Sequence, residues 1–524
     1  MKKSAQFFFL HSVLVFFLIP ASSFSEKYKI CDVEYELQET KQSAAEKNIP
    51  ISTERTFESK EEFKKYIEDL RTRFQNQRVF QETSVTYECE NDTDGEICKV
   101  HLKVAATDSK SLLILPYPKY SSSDGLSVKM KIKDANFLGR MSELSADAYF
   151  AIETDEDDES VSHKAIGFNF EYNFPFQAGP FDITWNNDFF AEYTLDTKKC
   201  EFDTKTGLTF SLPRGTYSLV FDISQSFVRN LEYAPYDDEF YMNSDASLSM
   251  PITVADIDGW GKIKWIPYAD FSANYKTDGS VNENNIDITS PLLTFAHKAE
   301  TKRIDWIGNF RNGFSAETGQ SISYNFQRNE YYPRIYTEIK AHKAFCKYFS
   351  ASARLYAFAS FSRYEKIGER LRGIIDEQKY KDSTERALKV TSAITMNIDA
   401  PIRLLATDWN TWTENIFGEE TWITRHTAWF RYFDFEMQVS PFIDIALTKN
   451  AVTGSTFALE DGWYSGGIEV LIFPKKWKSV VVRGSVGVDL ARTVLNRVSD
   501  TFINESFRNS VSSKEIYIGL GLLY

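Results

Sequence analysis

The chain has 524 residues, a formal net charge of −14 and a pI of about 5.2, a balance that argues against nucleic acid as a partner. Mean hydropathy is −0.36, ordinary for a soluble protein, yet 42 Phe, 27 Tyr and 10 Trp make 15% of the chain aromatic. That combination fits a transmembrane β-barrel, which alternates apolar-out with polar-in and wears aromatic girdles at both interfaces. A large soluble β protein is the alternative.

Residues 1–25 read MKKSAQFFFLHSVLVFFLIPASSFS: two lysines, an apolar run, then small residues around Ala21 to Ser23. This is the pattern of a secretory signal peptide, and the apolar core is short for a membrane anchor. Cys31 follows Tyr28-Lys29-Ile30 rather than the small residues that lipid attachment needs. No later stretch has eighteen consecutive apolar residues, so no transmembrane helix is expected. Five cysteines in an exported chain leave at least one unpaired or paired between chains.

Residues 26–115 predict a small α+β unit. Cys31, Val33, Tyr35 and Leu37 alternate with Asp32, Glu34 and Glu36, the period of a half-buried strand. Ser59 and Glu62 form a capping box, and Phe63, Ile67, Leu70 and Phe74 fall on one face of the helix that follows. A hairpin comes next, TSVTYECE and EICKVHLKV around a polar turn at Asp92 to Gly95. Cys89 and Cys98 share a face of it and can bridge in an oxidising compartment. Cys31 is a competing partner, and two buried free thiols are the bland reading.

From about Ser122 the pattern changes to alternating segments of about ten residues divided by polar turns, the spacing of a spanning barrel. LSVKMKIK places Leu126, Val128, Met130 and Ile132 opposite Lys129, Lys131 and Lys133. AIGFNFEYNF places Ile166, Phe168, Phe170, Tyr172 and Phe174 opposite Gly167, Asn169, Glu171 and Asn173. A sandwich would bury both kinds of face differently; repeated Lys, Glu and Asn on one face suit a watery lumen. Seventeen candidate strands run from Leu126 to Tyr524. Because a bacterial barrel with both termini on one side needs an even number, sixteen is the expectation, with one segment between Ile286 and Tyr348 overcounted. The acidic stretch ETDEDDES, Glu153 to Ser160, reads as a solvated hairpin loop rather than a calcium or lipid site. At the far end EIYIGLGLLY puts Ile516, Ile518, Leu520, Leu522 and Tyr524 on one face and Gly519 and Gly521 on the other.

In these segments the chain resembles the bacterial surface antigen superfamily of outer-membrane assembly and secretion barrels, the BamA/TamA-like group that includes the two-partner secretion transporters. Three stretches carry the resemblance. In LPYPKYSSSDGLSVKMKIKDANFLGR, Pro116, Pro118, Asn136 and Gly139 match the passage from the last periplasmic module into the barrel. In RLRGIID, Leu371, Arg372 and Gly373 match the family's lumen-inserted loop, with Ile374 in place of the usual aromatic. In VSPFIDIALT, Phe442 and Asp444 match an inward strand motif, with Ala446 where Gly is usual. The shared parity of Phe442, Asp444 and Ala446 points them inward, so Asp444 can meet a loop arginine through a charge-assisted hydrogen bond; Asp399 is a second candidate acid. The terminal residues Ile516, Ile518, Leu520, Leu522 and Tyr524 are similar to an outer-membrane barrel's C-terminal recognition strand.

The resemblance implies a mainly β architecture: a transmembrane antiparallel β-barrel of about sixteen strands (116–524, lumen loop around 365–388) behind a single periplasmic α+β POTRA-like domain (26–115). The implied setting is the bacterial outer membrane. The implied function is assembly, insertion or translocation of unfolded outer-membrane or secreted clients, by β-augmentation and a lateral seam between first and last strands, with accessory lipoproteins as candidate partners. A passive porin or surface structural protein, or a dedicated secretion pore, are the alternatives. No Gly-x-Ser-x-Gly elbow occurs and the six histidines show no ligand spacing, so no catalysis, cofactor or metal is expected.

Overall fold

The computed structural model describes residues 27–522 apart from 54, 92–96, 122–124, 155–161, 258, 281–284, 362–363, 368–369, 375–388, 420, 450–453, 461 and 496–513. The signal segment, most of the acidic loop and Tyr524 lie outside the described residues. The chain divides into two compact units, one made of residues up to Glu36 with 51–71 and 84–105, the other of 37–50, 72–83 and everything from Ala106 onward.

The N-terminal elements are β1 (Lys27–Leu37), α1 (Gln42–Asn48), β2 (Thr56–Phe57), α2 (Lys60–Asn76), β3 (Phe80–Asn91) and β4 (Ile97–Asp108). The strands form a sheet in the order β2-β1-β4-β3. Helix α2 starts where Ser59 Oγ accepts from Glu62 N–H, satisfying one orphan donor of the first turn, and Glu62 Oε2 reaches back to accept from Glu58 N–H just before the cap, both at 3.2 Å. Its apolar stripe is buried, Phe63 lying 5.0 Å from Tyr28 in a stacked pair and meeting Phe57 and Tyr87 edge-on. Cys89 and Cys98 are bonded to each other, while Cys31 is exposed and free. The alternation in β1 slips phase at Cys31-Asp32: Tyr28 and Ile30 are buried before it, and Val33, Tyr35 and Leu37 half-buried after it. That slip turns Cys31 away from the core that its sequence spacing suggests.

The second unit is a closed antiparallel ring. Its strands are β5 (Leu112–Ser121), β6 (Gly125–Asp134), β7 (Leu144–Thr154), β8 (Ser162–Ala178), β9 (Phe181–Thr194), β10 (Lys199–Arg214), β11 (Tyr217–Arg229), β12 (Phe240–Ser249), β13 (Ile252–Ile257), β14 (Gly261–Tyr275), β15 (Leu292–Ile307), β16 (Phe310–Asn325), β17 (Glu330–Cys346) and β18 (Phe349–Ser360). After a loop that holds the short pair β19 (Glu365–Lys366) and β20 (Lys389–Val390), the ring continues with β21 (Ser392–Asp399), β22 (Ile402–Ala406), β23 (Phe435–Thr448), β24 (Trp463–Pro474), β25 (Val482–Asp489) and β26 (Lys514–Leu520), and β26 pairs with β5. Two of these pairs, β12 with β13 and β21 with β22, are single strands interrupted before Pro251 and Pro401, because each half shares the same neighbours. The ring therefore has 18 strands.

This corrects the expectation of sixteen. Three full strands, β15 to β17, occupy the region suspected of overcounting. The missed strand is β5, LLILPYPKYS, which pairs with β6 from Leu112 to Ser121. Its Pro116 and Pro118 argue against a central strand, but β5 lies at the seam of the ring, and prolines are tolerated where one edge has few ladder bonds to make.

Alternation along the ring separates two environments. Ile166 and Phe168 point out and are exposed, as do Leu126, Val128, Met130 and Ile132. Between them, inward residues pair across strands, Lys131 with Asp147 at 3.2 Å and Lys298 with Glu317 at 3.2 Å. Exposed aromatics mark the rim where β5 begins, the proximal rim (Phe181, Tyr217, Trp260, Phe345, Tyr348), and the distal rim (Tyr193, Phe227, Phe240, Phe326, Tyr331). A closed ladder with an apolar exterior, two girdles and a charged lumen is a membrane-spanning barrel, since hydrocarbon accepts no open sheet edge. Among the described residues no helix is long and apolar enough to cross a membrane.

The two faces should respond oppositely to charge. Phe168→Arg, on the lipid face, is expected to cost about 2–4 kcal/mol, while Asn169→Arg, facing Asp147 across the ladder, should cost clearly less, because a lumen-facing charge stays in a polar interior. Urea titration of folding into phospholipid vesicles measures both.

Candidate functional site in the barrel lumen

The loop between β18 and β21 turns back into the ring. Its apolar residues Ile367, Leu371 and Ile374 are buried with Val390 against Tyr356, Phe358, Ala393, Ala446 and Trp463 of the barrel wall. Ile374 fills, at 1% exposure, the place where an aromatic was the family expectation. At the mouth of the loop Arg334 pairs with Glu365, Tyr356 Oη donates to Glu365 Oε2 at 3.1 Å, and Arg370 lies 3.6 Å over the Tyr356 ring. Residues 375–388 of the loop lie outside the described residues.

Arg372 is the centre of the site. Only 4% exposed, it donates from Nε to Asp444 Oδ2 (2.9 Å) and from Nη2 to Asp444 Oδ1 (2.7 Å). Its backbone N–H also donates to Asp444 Oδ2, at 2.9 Å. The remaining nitrogen, Nη1, donates to Asp399 Oδ1 at 2.6 Å and stands 3.8 Å from Glu469 Oε2. Below the guanidinium lies Phe442, its ring centre 3.8 Å from Cζ. This is a planar fork met by a bidentate carboxylate and an aromatic face, an arrangement a lysine ammonium cannot reproduce.

The barrel wall supplies each partner through its pleat. Phe442, Asp444 and Ala446 share the inward face of β23, and Asp399 pairs directly with Phe442 across the β21–β23 ladder. Glu469 on β24 pairs in turn with Arg483 on β25 at 2.9 Å, and Arg311 on β16 acts electrostatically on both Asp399 and Glu469. Three arginines thus face three carboxylates, which offsets the desolvation that burying any one of them would cost.

Gly373 joins the loop to the end of the chain. Its N–H donates to Glu515 Oε2 of β26 at 2.6 Å. Its backbone has φ +85°, and a Cβ on it would come within 2.6 Å of Val488 N, while a Cβ on Gly487 would meet Gly373 Cα at 2.6 Å. Two glycines in contact let the loop lie directly on β25, and only glycine combines that φ with that clearance.

Among the sequence-derived residues, the structure brings together Leu371, Arg372, Gly373, Ile374, Phe442, Asp444, Ala446 and Asp399. The terminal segment is divided. Ile516 and Ile518 face outward and are exposed, but β26 ends at Leu520, Gly521 has φ +99°, and Leu522 packs on the cluster of Leu471, Phe473 and Val481. The single apolar face drawn from Ile516 to Tyr524 is therefore broken after Leu520, because a left-handed residue ends the pleat. Glu515, Glu469, Arg483, Arg311 and Gly487 were not legible as site residues. Parity alone marks Glu515 as inward, one position from Ile516, but says nothing of what it meets.

No protein-family model matches the chain, and no curated protein matches it. Among solved structures it is similar to BamA from Haemophilus ducreyi lacking POTRA domains 1–3, at 11% identity over 94% of this chain and 84% of that one, with a TM-score of 0.38. It is similar to CdiB from Acinetobacter baumannii at 10% identity over 95% and 74%, TM-score 0.47. It is also similar to CdiB from Escherichia coli at 8% identity over 94% and 76%, TM-score 0.44.

Removing one partner of a buried ion pair strands the other, so Asp444→Leu should destabilise the folded barrel by about 3–5 kcal/mol. Arg372→Met combined with Asp444→Leu should cost clearly less than the sum of the two single changes. A double-mutant cycle on urea-dependent folding in vesicles reads this coupling, and additive losses would show that the pair is not energetically joined.

Proposed function

We propose that this chain is a bacterial outer-membrane protein assembly or translocation factor whose working element is the seam between β26 and β5. One observation carries the reading. Among the described residues the ring closes there through two register pairs only, Tyr517 with Ser121 and Ile518 with Tyr120, whereas β5 pairs with β6 along its whole length. Most of the seam-side edge of β5 thus has backbone groups without a ladder partner in β26. In lipid each such group costs several kcal/mol, so an arriving client strand that pairs there is strongly favoured, and no nucleotide or metal is needed to drive the addition.

On this reading the lumen loop is the seam's support. Arg372 docks the loop on β21 and β23, and Gly373 holds Glu515 on β26. The N-terminal α+β unit acts as a POTRA-like periplasmic module, with β3 at the edge of its sheet open to extended client segments by β-augmentation. Accessory lipoproteins are candidate partners of that unit.

A crosslink tests the gate. Tyr120→Cys and Ile518→Cys are placed on opposite sides of the seam, after Cys31, Cys200 and Cys346 are changed to Ser. Client assembly or secretion is followed in cells that depend on this chain. Locking should abolish activity and reductant should restore it, with each single-cysteine variant controlling for reduction of Cys89–Cys98. A locked barrel as active as the open one would make the seam a closed wall, and a passive pore or scaffold the better account.

A further inference from the structure

The connection from β22 to β23 leaves the proximal rim at Ala406 and returns at Phe435. It contains α3 (Trp409–Phe417), α4 (Trp422–Thr427) and a 3-10 turn over Ala428–Phe433. Four of the chain's ten tryptophans, Trp409, Trp412, Trp422 and Trp429, fall within it. Chance would spread them over a chain of this length, so the concentration asks for a cause.

The segment is built rather than loose. Asp408 caps α3 by accepting from Thr411 N–H at 3.3 Å, and that bond holds its carboxyl below the ordinary carboxylate range. Asp434 Oδ1 accepts from both Trp409 N–H and Thr407 Oγ1 at 3.0 Å, tying the two ends of the hairpin together. Helix α3 is two-faced: Trp409, Trp412 and Ile416 lie on one side, and Asn410, Thr411, Glu414 and Asn415 on the other. Trp409 meets Trp412 edge-on at 5.2 Å and Phe430 at 6.3 Å, Phe430 meets Trp429 at 4.2 Å, and Trp429 meets Phe433 at 5.5 Å, so these rings form one layer, while Trp422 of the same hairpin stacks on His426 at 4.3 Å. That layer is not covered. Ile416 and Trp422 are each 72% exposed, and Trp429 and Phe433 are more than half exposed.

The layer follows directly along the chain from a strand of the barrel's lipid-facing surface. Strand β22, which carries it, exposes Leu404 and Leu405, and Ile402 pairs with Phe349 of the neighbouring strand. Phe349 stacks on Phe345 at 5.5 Å, and Arg403 N–H donates to Tyr348 O at 2.8 Å. Phe345, Tyr348 and Phe349 belong to the proximal aromatic girdle, whose occupant is the headgroup boundary. We propose that the hairpin from Trp409 to Phe433 is an interfacial lipid anchor, lying in the proximal leaflet with its aromatic layer at the acyl boundary and Asn410, Glu414 and Asn415 among the headgroups. It widens the barrel's footprint on one side of the proximal rim and fixes depth and tilt there. The inference uses the barrel's lipid band and not the gate, so it stands or fails independently of the proposed function.

Spin-label accessibility tests it on the full chain, with Cys31, Cys200 and Cys346 changed to Ser, folded into vesicles of phosphatidylethanolamine and phosphatidylglycerol. Labels are introduced by Ile416→Cys and Trp422→Cys, with Val128→Cys as the lipid-facing reference and Glu414→Cys as the headgroup-side reference. The first two should resemble the Val128→Cys label, with high collision by oxygen and several-fold less collision by a nickel chelate than at Glu414→Cys. Nickel access equal to that at Glu414→Cys would place the layer in water. Shielding from both reagents would mean that protein covers it, whether a client or a second copy. Either result overturns the anchor. Should a label impair folding, Trp412→Phe with Trp422→Phe gives a milder readout: quenching of the remaining fluorescence by brominated lipid should fall, and an unchanged quenched fraction would overturn the proposal as well.

Discussion

A sheet in hydrocarbon cannot leave a backbone N–H or C=O without a partner, and this constraint shapes every part of the molecule. It forces the ladder to close on itself, which it does through 18 strands. Where proline interrupts a strand, neighbours restore the balance: Pro251 O accepts from Ser218 N–H and Pro401 O from Ser350 N–H, both at 3.0 Å. Among the described residues the seam between β26 and β5 is the place where the rule is met most thinly. On the proposed function, that thin seam is the local weakness that an added client strand would repair.

The lumen follows a different rule. Its charges are held away from lipid yet also largely from water, so each must find a counter-charge. Arg372, Arg311 and Arg483 against Asp444, Asp399 and Glu469 meet that need. Such a cluster adds little net stability over an apolar equivalent, because desolvation takes back most of the Coulomb gain. What it adds is position: the bidentate geometry at Asp444 and the glycine contact at Gly487 admit one docking of the loop. The Gly373 N–H to Glu515 bond then brings that docking to bear on the last strand.

The outer surface shows the same economy at its rims. Aromatic rings collect where the apolar band ends, and as the proposed lipid anchor the hairpin between β22 and β23 extends that band along the membrane surface instead of across it. The amphipathic helix and the pleated strand solve one problem with two periods, each turning its apolar side to the same lipid.

Much of this was legible in the chain itself. The period of two in segments such as AIGFNFEYNF determined which residues face lipid, since a pleated strand has only two faces. The same parity put Asp444 and Phe442 in the lumen. The seventeen strands read from Leu126 are all present, and an even count is reached by adding one strand rather than removing one, because the segment with Pro116 and Pro118 does not read as a strand until its edge position is known. Partners were not legible: nothing local says that Glu515 meets Gly373, that Glu469 and Arg311 complete the charge balance, or that Gly521 turns Leu522 inward. Facing is a property of one strand and its period, so sequence by itself determined it; closure, loop docking and the identity of each counter-charge depend on which strands lie side by side across the ring, and only the tertiary structure decided those.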